Sequence, residues 1–303
     1  MADLSVKVCG TEFNNPLIAA SGTFGFGMEY SELYPLEKLG GISCKGITLT
    51  RRDGNPVPRV AETPSGILNA VGLQNPGVDV FINEDLPWLK KQNTVIIANI
   101  AGNTPEEYCE MAEKLSSTDV DMIEMNISCP NVKSGGVQFG TSCESVGSIT
   151  SAVRKHCTKP LIVKLSPNVT DIAEIAKSAE ANGADAISMI NTLTGMRIDI
   201  NTKRPIIRNN TGGMSGPAVF PVAVRMVWQV SNAVKIPIIG MGGISTWQDA
   251  VEMMIAGASA LQIGTVFFSD PYAPIKIAEG INEYLDKSGM KSVTELTGTI
   301  KPW

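Results

Sequence analysis

Histidine is nearly absent from this chain: His156 is the only one in 303 residues. It follows a basic stretch at an expected helix end, where a dipole-compensating surface role fits better than catalysis. Imidazole acid–base chemistry is therefore not expected. Paired cysteines are missing too. Cys9, Cys44, Cys109, Cys129, Cys143 and Cys157 are scattered with no CxxC, which supports neither a zinc site nor a cysteine-ligated iron–sulfur cluster. We expect no metal, and reduced thiols suit a cytoplasmic protein. No apolar run approaches the roughly 18 residues that cross a bilayer, and the opening MADLSVKVCG lacks both a basic n-region and an apolar h-region. No membrane partner is expected. There is no excess of basic charge: the net charge of −5 argues against a general nucleic-acid binder. A true GxGxxG dinucleotide turn is missing, since SGTFGFG at 21–27 has the wrong spacing. Internal repeats, low-complexity tracts and breaks in composition are absent as well, so residues 1–303 are expected to form one domain.

What the chain does have is rhythm. After two short strands expected around Cys9-Gly10-Thr11, apolar runs recur as PLIAAS (16–21), GISCKGI (41–47), TVIIANI (94–100) and DMIEMNI (121–127). They continue as PLIVKLS (160–166), AISMIN (186–191), PIIGMGG (237–243) and ALQIGT (260–265). Short continuous runs of this kind suit parallel strands buried on both faces. Between them lie segments of helical period, such as Tyr108, Met111, Ala112 and Leu115. Thr104-Pro105-Glu106-Glu107 predicts a capped helix start, Ser245 with Gln248 a second, and Gly183 and Gly289 read as stops. Eight strands alternating with helices predict an α/β fold, a (β/α)8 TIM barrel with a short N-terminal hairpin. Two connections, Thr48 to Val71 and Thr192 to Gly216, are too long for simple loops and leave from C-terminal strand ends, so they are expected to lie over that face.

In such a barrel the C-terminal strand ends form the catalytic face. Those ends carry Ser21, Lys45, Asn99, Asn126, Lys164, Asn191, Gly242-Gly243 and Gly264-Thr265. Buried polar groups are costly unless partnered, so their convergence on one end points to a site. The glycine turns fit a phosphate, and with Lys164 they suggest a flavin mononucleotide (FMN): a lysine stabilises the negative charge of the reduced ring. A Schiff-base lyase using Lys164, or a non-catalytic barrel, is the competing reading. The amides of GILNAVGLQNPG (66–77), with Asn126, Asn131 and Asn191, suit a small planar molecule of alternating C=O and N–H, and Lys45 suits an acidic one. Cys129, closing DMIEMNISCPN, is the candidate for the chemistry, although a packed core thiol is the commoner use of such a residue.

These motifs, in order, resemble the class 1 dihydroorotate dehydrogenases. The resemblance rests on SGTFGFG, KGIT (45–48), NAVGLQNPG (69–77), NISCPNVKSGGVQFG (126–140), VKLSPN (163–168), MINT (189–192), GGMSGPA (212–218), GMGGI (240–244) and IGT (263–265), and it runs through essentially the whole chain. It implies oxidation of dihydroorotate to orotate in de novo pyrimidine (UMP) synthesis, with Cys129 as general base and one FMN per chain as hydride acceptor. FMN would meet Ser21, Lys45, Gly46, Asn99, Asn126, Lys164, Ile190, Gly216, Gly242, Gly243, Gly264 and Thr265. Substrate would meet Lys45, Asn69, Ala70, Val71, Gly72, Leu73, Asn126, Asn131, Asn191 and Thr192. The segment NVKSGGVQFG resembles the 1B type, whose electrons pass to NAD through a separate iron–sulfur flavoprotein carrying FAD and a 2Fe–2S cluster. Such an enzyme is a heterotetramer of two catalytic and two electron-transfer chains. A fumarate-linked 1A enzyme and a dihydropyrimidine dehydrogenase acting on uracil or thymine are the alternatives.

Overall fold

A computed structural model describes residues 2–128 and 139–303. The chain opens with a hairpin, β1 (Val6–Val8) against β2 (Thr11–Phe13), in antiparallel register with Val8 opposite Thr11. Cys9 and Gly10 take φ of 50° and 85°. Two left-handed residues in a two-residue loop are what the twist of a tight hairpin demands.

The later strands follow in chain order: β3 (Leu17–Ala19), β4 (Gly41–Ser43), β5 (Val60–Thr63), β6 (Gly66–Asn69), β7 (Val95–Ile100) and β8 (Met122–Asn126). Next come β9 (Leu161–Lys164), β10 (Ala186–Met189), β11 (Leu193–Gly195), β12 (Ile198–Asp199) and β13 (Arg204–Pro205). The last are β14 (Gly212–Ser215), β15 (Ile238–Met241) and β16 (Ala260–Ile263). Eight of them close a parallel barrel in the order β3-β4-β7-β8-β9-β10-β15-β16, and each is one of the eight apolar runs. The fold is a (β/α)8 barrel. Apart from Val95, every residue of these eight strands is buried, which is why the runs are continuous rather than alternating.

The longer helices pack outside, turning apolar stripes inward. On Pro105–Ser116 that stripe is Tyr108, Met111, Ala112 and Leu115, all buried. Thr104 caps this helix by accepting from the Glu107 N–H at 3.3 Å. The Glu107 carboxylate reaches past the cap to the Asn103 N–H at 2.6 Å, so the reciprocal half of the expected box falls one residue early. The second expected start is displaced by one residue. Thr246 and Asp249, not Ser245 and Gln248, form the capping box of helix Trp247–Ile255. Gly289, at φ 71°, ends helix Ala273–Ser288.

The two long connections are not independent loops. They join in one antiparallel sheet of order β5-β6-β14-β11, with Asn69 opposite Gly213. This sheet has its own small core of Leu68, Ala70 and Ile207. Gly66 makes the approach possible: a Cβ there would stand 2.0 Å from the Ser215 carbonyl oxygen. Among the described residues no helix is long and apolar enough to cross a membrane.

Candidate active site

Under the insertion sheet, at the C-terminal ends of the barrel strands, lies a cavity of about 240 Å³. Ser21 enters it after β3, Lys45 and Gly46 after β4, Asn126 and Lys164 at the ends of β8 and β9, and Ile190 and Asn191 after β10. Gly242 and Gly243 follow β15, and Gly264 and Thr265 follow β16. The insertions contribute Asn69, Val71, Gly72 and Leu73 on one side and Thr192 and Gly216 on the other. Asn99 and Ala70 do not border the cavity; both are fully buried. Asn99 lies within β7 rather than at its end, which sets it deeper than the strand-end reading implied. Cys129 and Asn131 lie outside the described residues. His156 sits away from the cavity, its Nδ1 3.3 Å from Glu113 Oε2.

Two lysines dominate the charge. Burial pushes the Lys45 ammonium below its usual range, and the nearby Arg59 guanidinium pushes it further. Lys164 is 5% exposed, and its charge acts on Glu124. Glu124 stands two residues before Asn126 on β8, so it points the same way from one layer deeper in the barrel. Its carboxylate accepts from Ser43 Oγ at 2.7 Å, Asn99 Nδ2 at 2.5 Å and Gln262 Nε2 at 2.7 Å, donors from β4, β7 and β16. Burial alone would raise the Glu124 pKa. The Lys164 charge and the surrounding donors outweigh that, and the pKa lies below its ordinary value.

The amides at the mouth are oriented as a chain. Asn191 Nδ2 donates to Ser128 Oγ at 2.6 Å, and that hydroxyl donates to Asn126 Oδ1 at 3.0 Å. Asn191 Oδ1 accepts the Thr192 N–H at 2.7 Å, and the Tyr108 hydroxyl donates to the Asn126 backbone carbonyl at 2.8 Å. In the stretch 66–77, Asn75 serves the backbone instead, accepting from the Thr48 and Gly77 N–H groups.

Bare backbone forms another part of the cavity wall. Gly242 and Gly243 have φ of 123° and 79°, conformations that disfavour any side chain. A Cβ on Gly243 would stand 2.8 Å from the Gly216 carbonyl oxygen. The turn is therefore bare peptide, as close approach to an anion requires.

Glu124, Ser43, Gln262 and Ser128 were not anticipated from the sequence. The available signal was a glutamate inside DMIEMNI: a carboxylate in a strand buried on both faces must find donors there. Two carboxamide oxygens beside Glu124 also stand out. Asn99 Oδ1 and Gln262 Oε1 are buried with no hydrogen-bond partner, and Gln262 borders the cavity.

Comparison with known proteins agrees with this geometry. The family model described as dihydroorotate dehydrogenase matches residues 3–285. A Bacteroides fragilis protein named dihydroorotate dehydrogenase B (NAD(+)), catalytic subunit, is 56% identical over 302 residues, covering 99% of this chain and 100% of the relative. Proteins of the same name from Petrotoga mobilis and Geotalea uraniireducens are 54% and 55% identical, covering 99% and 98% of this chain and 100% and 98% of theirs. With a closed barrel, a lysine-lined mouth and near full-length identity to several of its members, the chain belongs to the dihydroorotate dehydrogenase family, beside the class 1B catalytic subunits.

Proposed function

We propose that this chain is the catalytic subunit of an NAD-linked dihydroorotate dehydrogenase, oxidising dihydroorotate to orotate in pyrimidine synthesis with one FMN in the barrel mouth. The observation that carries the reading is the convergence of Lys45, Lys164, the Asn126–Ser128–Asn191 chain and the bare Gly242-Gly243 turn on one cavity. FMN, when bound, supplies the hydride acceptor. Gly216, Gly242, Gly243, Gly264 and Thr265 would hold its phosphate end, and Ser21, Gly46, Asn99, Ile190 and Lys164 its ring. Lys164 brings a fixed positive charge to where negative charge accumulates on reduction.

The amide chain orients a flat substrate carrying both donors and acceptors, with Asn69 to Leu73 and Thr192 closing over it. Lys45 offers a cation to the substrate carboxylate, and pairing with that anion opposes the downward shift that burial imposes on the free lysine. Cys129 takes the proton from C5 as hydride leaves C6, the role that the family resemblance assigns it. A partner subunit bearing FAD and a 2Fe–2S cluster would supply the route for electrons to NAD, with two of each chain per assembly.

The test is anaerobic mixing of the yellow protein with dihydroorotate, followed separately by NAD and fumarate. Flavin absorbance should bleach, and NAD should restore it only when the electron-transfer subunit is present. Turnover of dihydrouracil but not dihydroorotate would overturn the substrate. Reoxidation by fumarate without a partner would overturn the NAD link. Failure to take up added FMN would overturn the cofactor. Cys129→Ala should slow flavin reduction by about 10² to 10⁴-fold, and Cys129→Ser should retain activity mainly at high pH.

A further inference from the structure

Beneath the cavity, the Glu124 carboxylate meets two carboxamides in a way that permits one orientation of each. An ionised carboxylate only accepts hydrogen bonds. Asn99 Nδ2 and Gln262 Nε2 donate to it at 2.5 and 2.7 Å. Flipping either amide would press a carbonyl oxygen against a carboxylate oxygen at that distance. The Asn99 and Gln262 carbonyls are therefore turned away from Glu124, and both are buried without partners. A buried acceptor without a partner is costly, so two beside one carboxylate suit a ligand that brings a donor. Gln262 borders the cavity. Asn99 Oδ1 lies 3.2 Å from where a Cβ on Gly46 would stand, and Gly46 borders the cavity as well. The third donor, Ser43, locks the carboxylate from β4.

We propose that Glu124 is a positioning residue for the cofactor: it fixes Asn99 and Gln262 as acceptors for a ring N–H of the flavin and sets the net charge that Lys164 brings to the cavity. The proposal rests on the FMN reading. Its chemistry has two separable parts. The oriented acceptors contribute affinity for the flavin ring. The buried negative charge offsets Lys164 and so disfavours the more negative, reduced form of the ring. Removing that charge while keeping the shape should weaken binding of oxidised FMN and raise the reduction potential together.

The test uses the full chain, wild type and Glu124→Gln, with FMN as the probe. Glu124→Gln is expected to bind oxidised FMN about tenfold more weakly by fluorescence titration. Dye-equilibrated titration should show a higher potential: a tenfold shift in the ratio of affinities for reduced over oxidised FMN is about 30 mV for a two-electron couple. Glu124→Asp, which keeps the charge, should return the potential toward wild type. Unchanged affinity and potential in Glu124→Gln would overturn the proposal. So would an equal loss of affinity for both redox forms, because a purely structural role weakens both and leaves the potential where it was. Should Glu124→Gln fail to fold, Gln262→Leu removes one acceptor and leaves the carboxylate in place. It should lose about tenfold in affinity for oxidised FMN, and no loss would overturn the proposal. A wild-type chain that takes up no FMN would sink the cofactor reading itself, which a failure confined to the variants would not.

Discussion

Glu124 links acid stability to the interior of the barrel. Its pKa in the fold lies below the ordinary 4.5, so its ionised network contributes stability that is present above that pH and is lost as pH falls below it, toward the folded-state value. Removing one partner of a buried charge network costs about 3–5 kcal/mol. Glu124→Gln should therefore be much less stable than wild type near neutrality, and the gap should narrow in acid. Urea midpoints at pH 7 and at steps below 4.5 check this; a constant gap would refute it. The thiols offer a second residue-scale outcome. Cys9 is half-buried, donates to the Asp185 carbonyl, and has its pKa pushed up to about 12, mainly by burial. Cys44 is fully buried and Cys143 is exposed. Iodoacetamide near pH 8 should label Cys143 in the native protein and spare Cys9 and Cys44 until the chain unfolds, as mass spectrometry of digests would show.

At the scale of elements, the roof over the cavity depends on close backbone approach between two segments far apart in sequence. Gly66→Ala would drive a methyl into the Ser215 carbonyl and part β6 from β14. The Michaelis constant for dihydroorotate should rise while far-UV circular dichroism stays near wild type, because the barrel strands do not depend on that contact. A variant with unchanged kinetics would show that the roof takes no part in binding. The eight barrel strands were legible because each is buried on both faces and so reads as an unbroken apolar run. The roof was not. Gly66–Asn69 and Gly212–Ser215 are four-residue segments opened by glycine, too short to show a strand pattern; they become strands by pairing with each other and with β5 and β11. The helix start at Thr246 slipped by one residue because Ser245 and Thr246 are both good caps and the Asp249 carboxylate accepts from both N–H groups; the Asp249 N–H, donating to Thr246 Oγ1, decides between them. Lys45, Lys164 and the glycine turns stood out as polar or bare ends to apolar runs. Glu124 did not, because a lone glutamate within a strand reads as a surface residue until three other strands supply its donors. Asn99 was placed at a strand end because the runs TVIIANI and DMIEMNI both close on Asn-Ile, yet β8 stops at Asn126 whereas β7 continues through Ile100.

For the whole molecule, the main hydrophobic core runs through barrel and helices together, and we propose that residues 1–303 unfold as one domain. A single calorimetric transition is expected, and its midpoint should climb with added FMN, since a ligand at about 100 times its Kd adds about 2.7 kcal/mol. Two separated transitions would argue against the single domain. The seam of the barrel has a further consequence, for the order of synthesis. Ala19 pairs with Ile263, joining the first strand of the barrel in chain order to its last. Until residue 263 has left the ribosome, β3 and β15 each present an unpaired edge, the exposed template along which chains stick to one another. Vectorial growth thus holds the barrel open until β16 emerges, and the cavity at the strand ends cannot form before then.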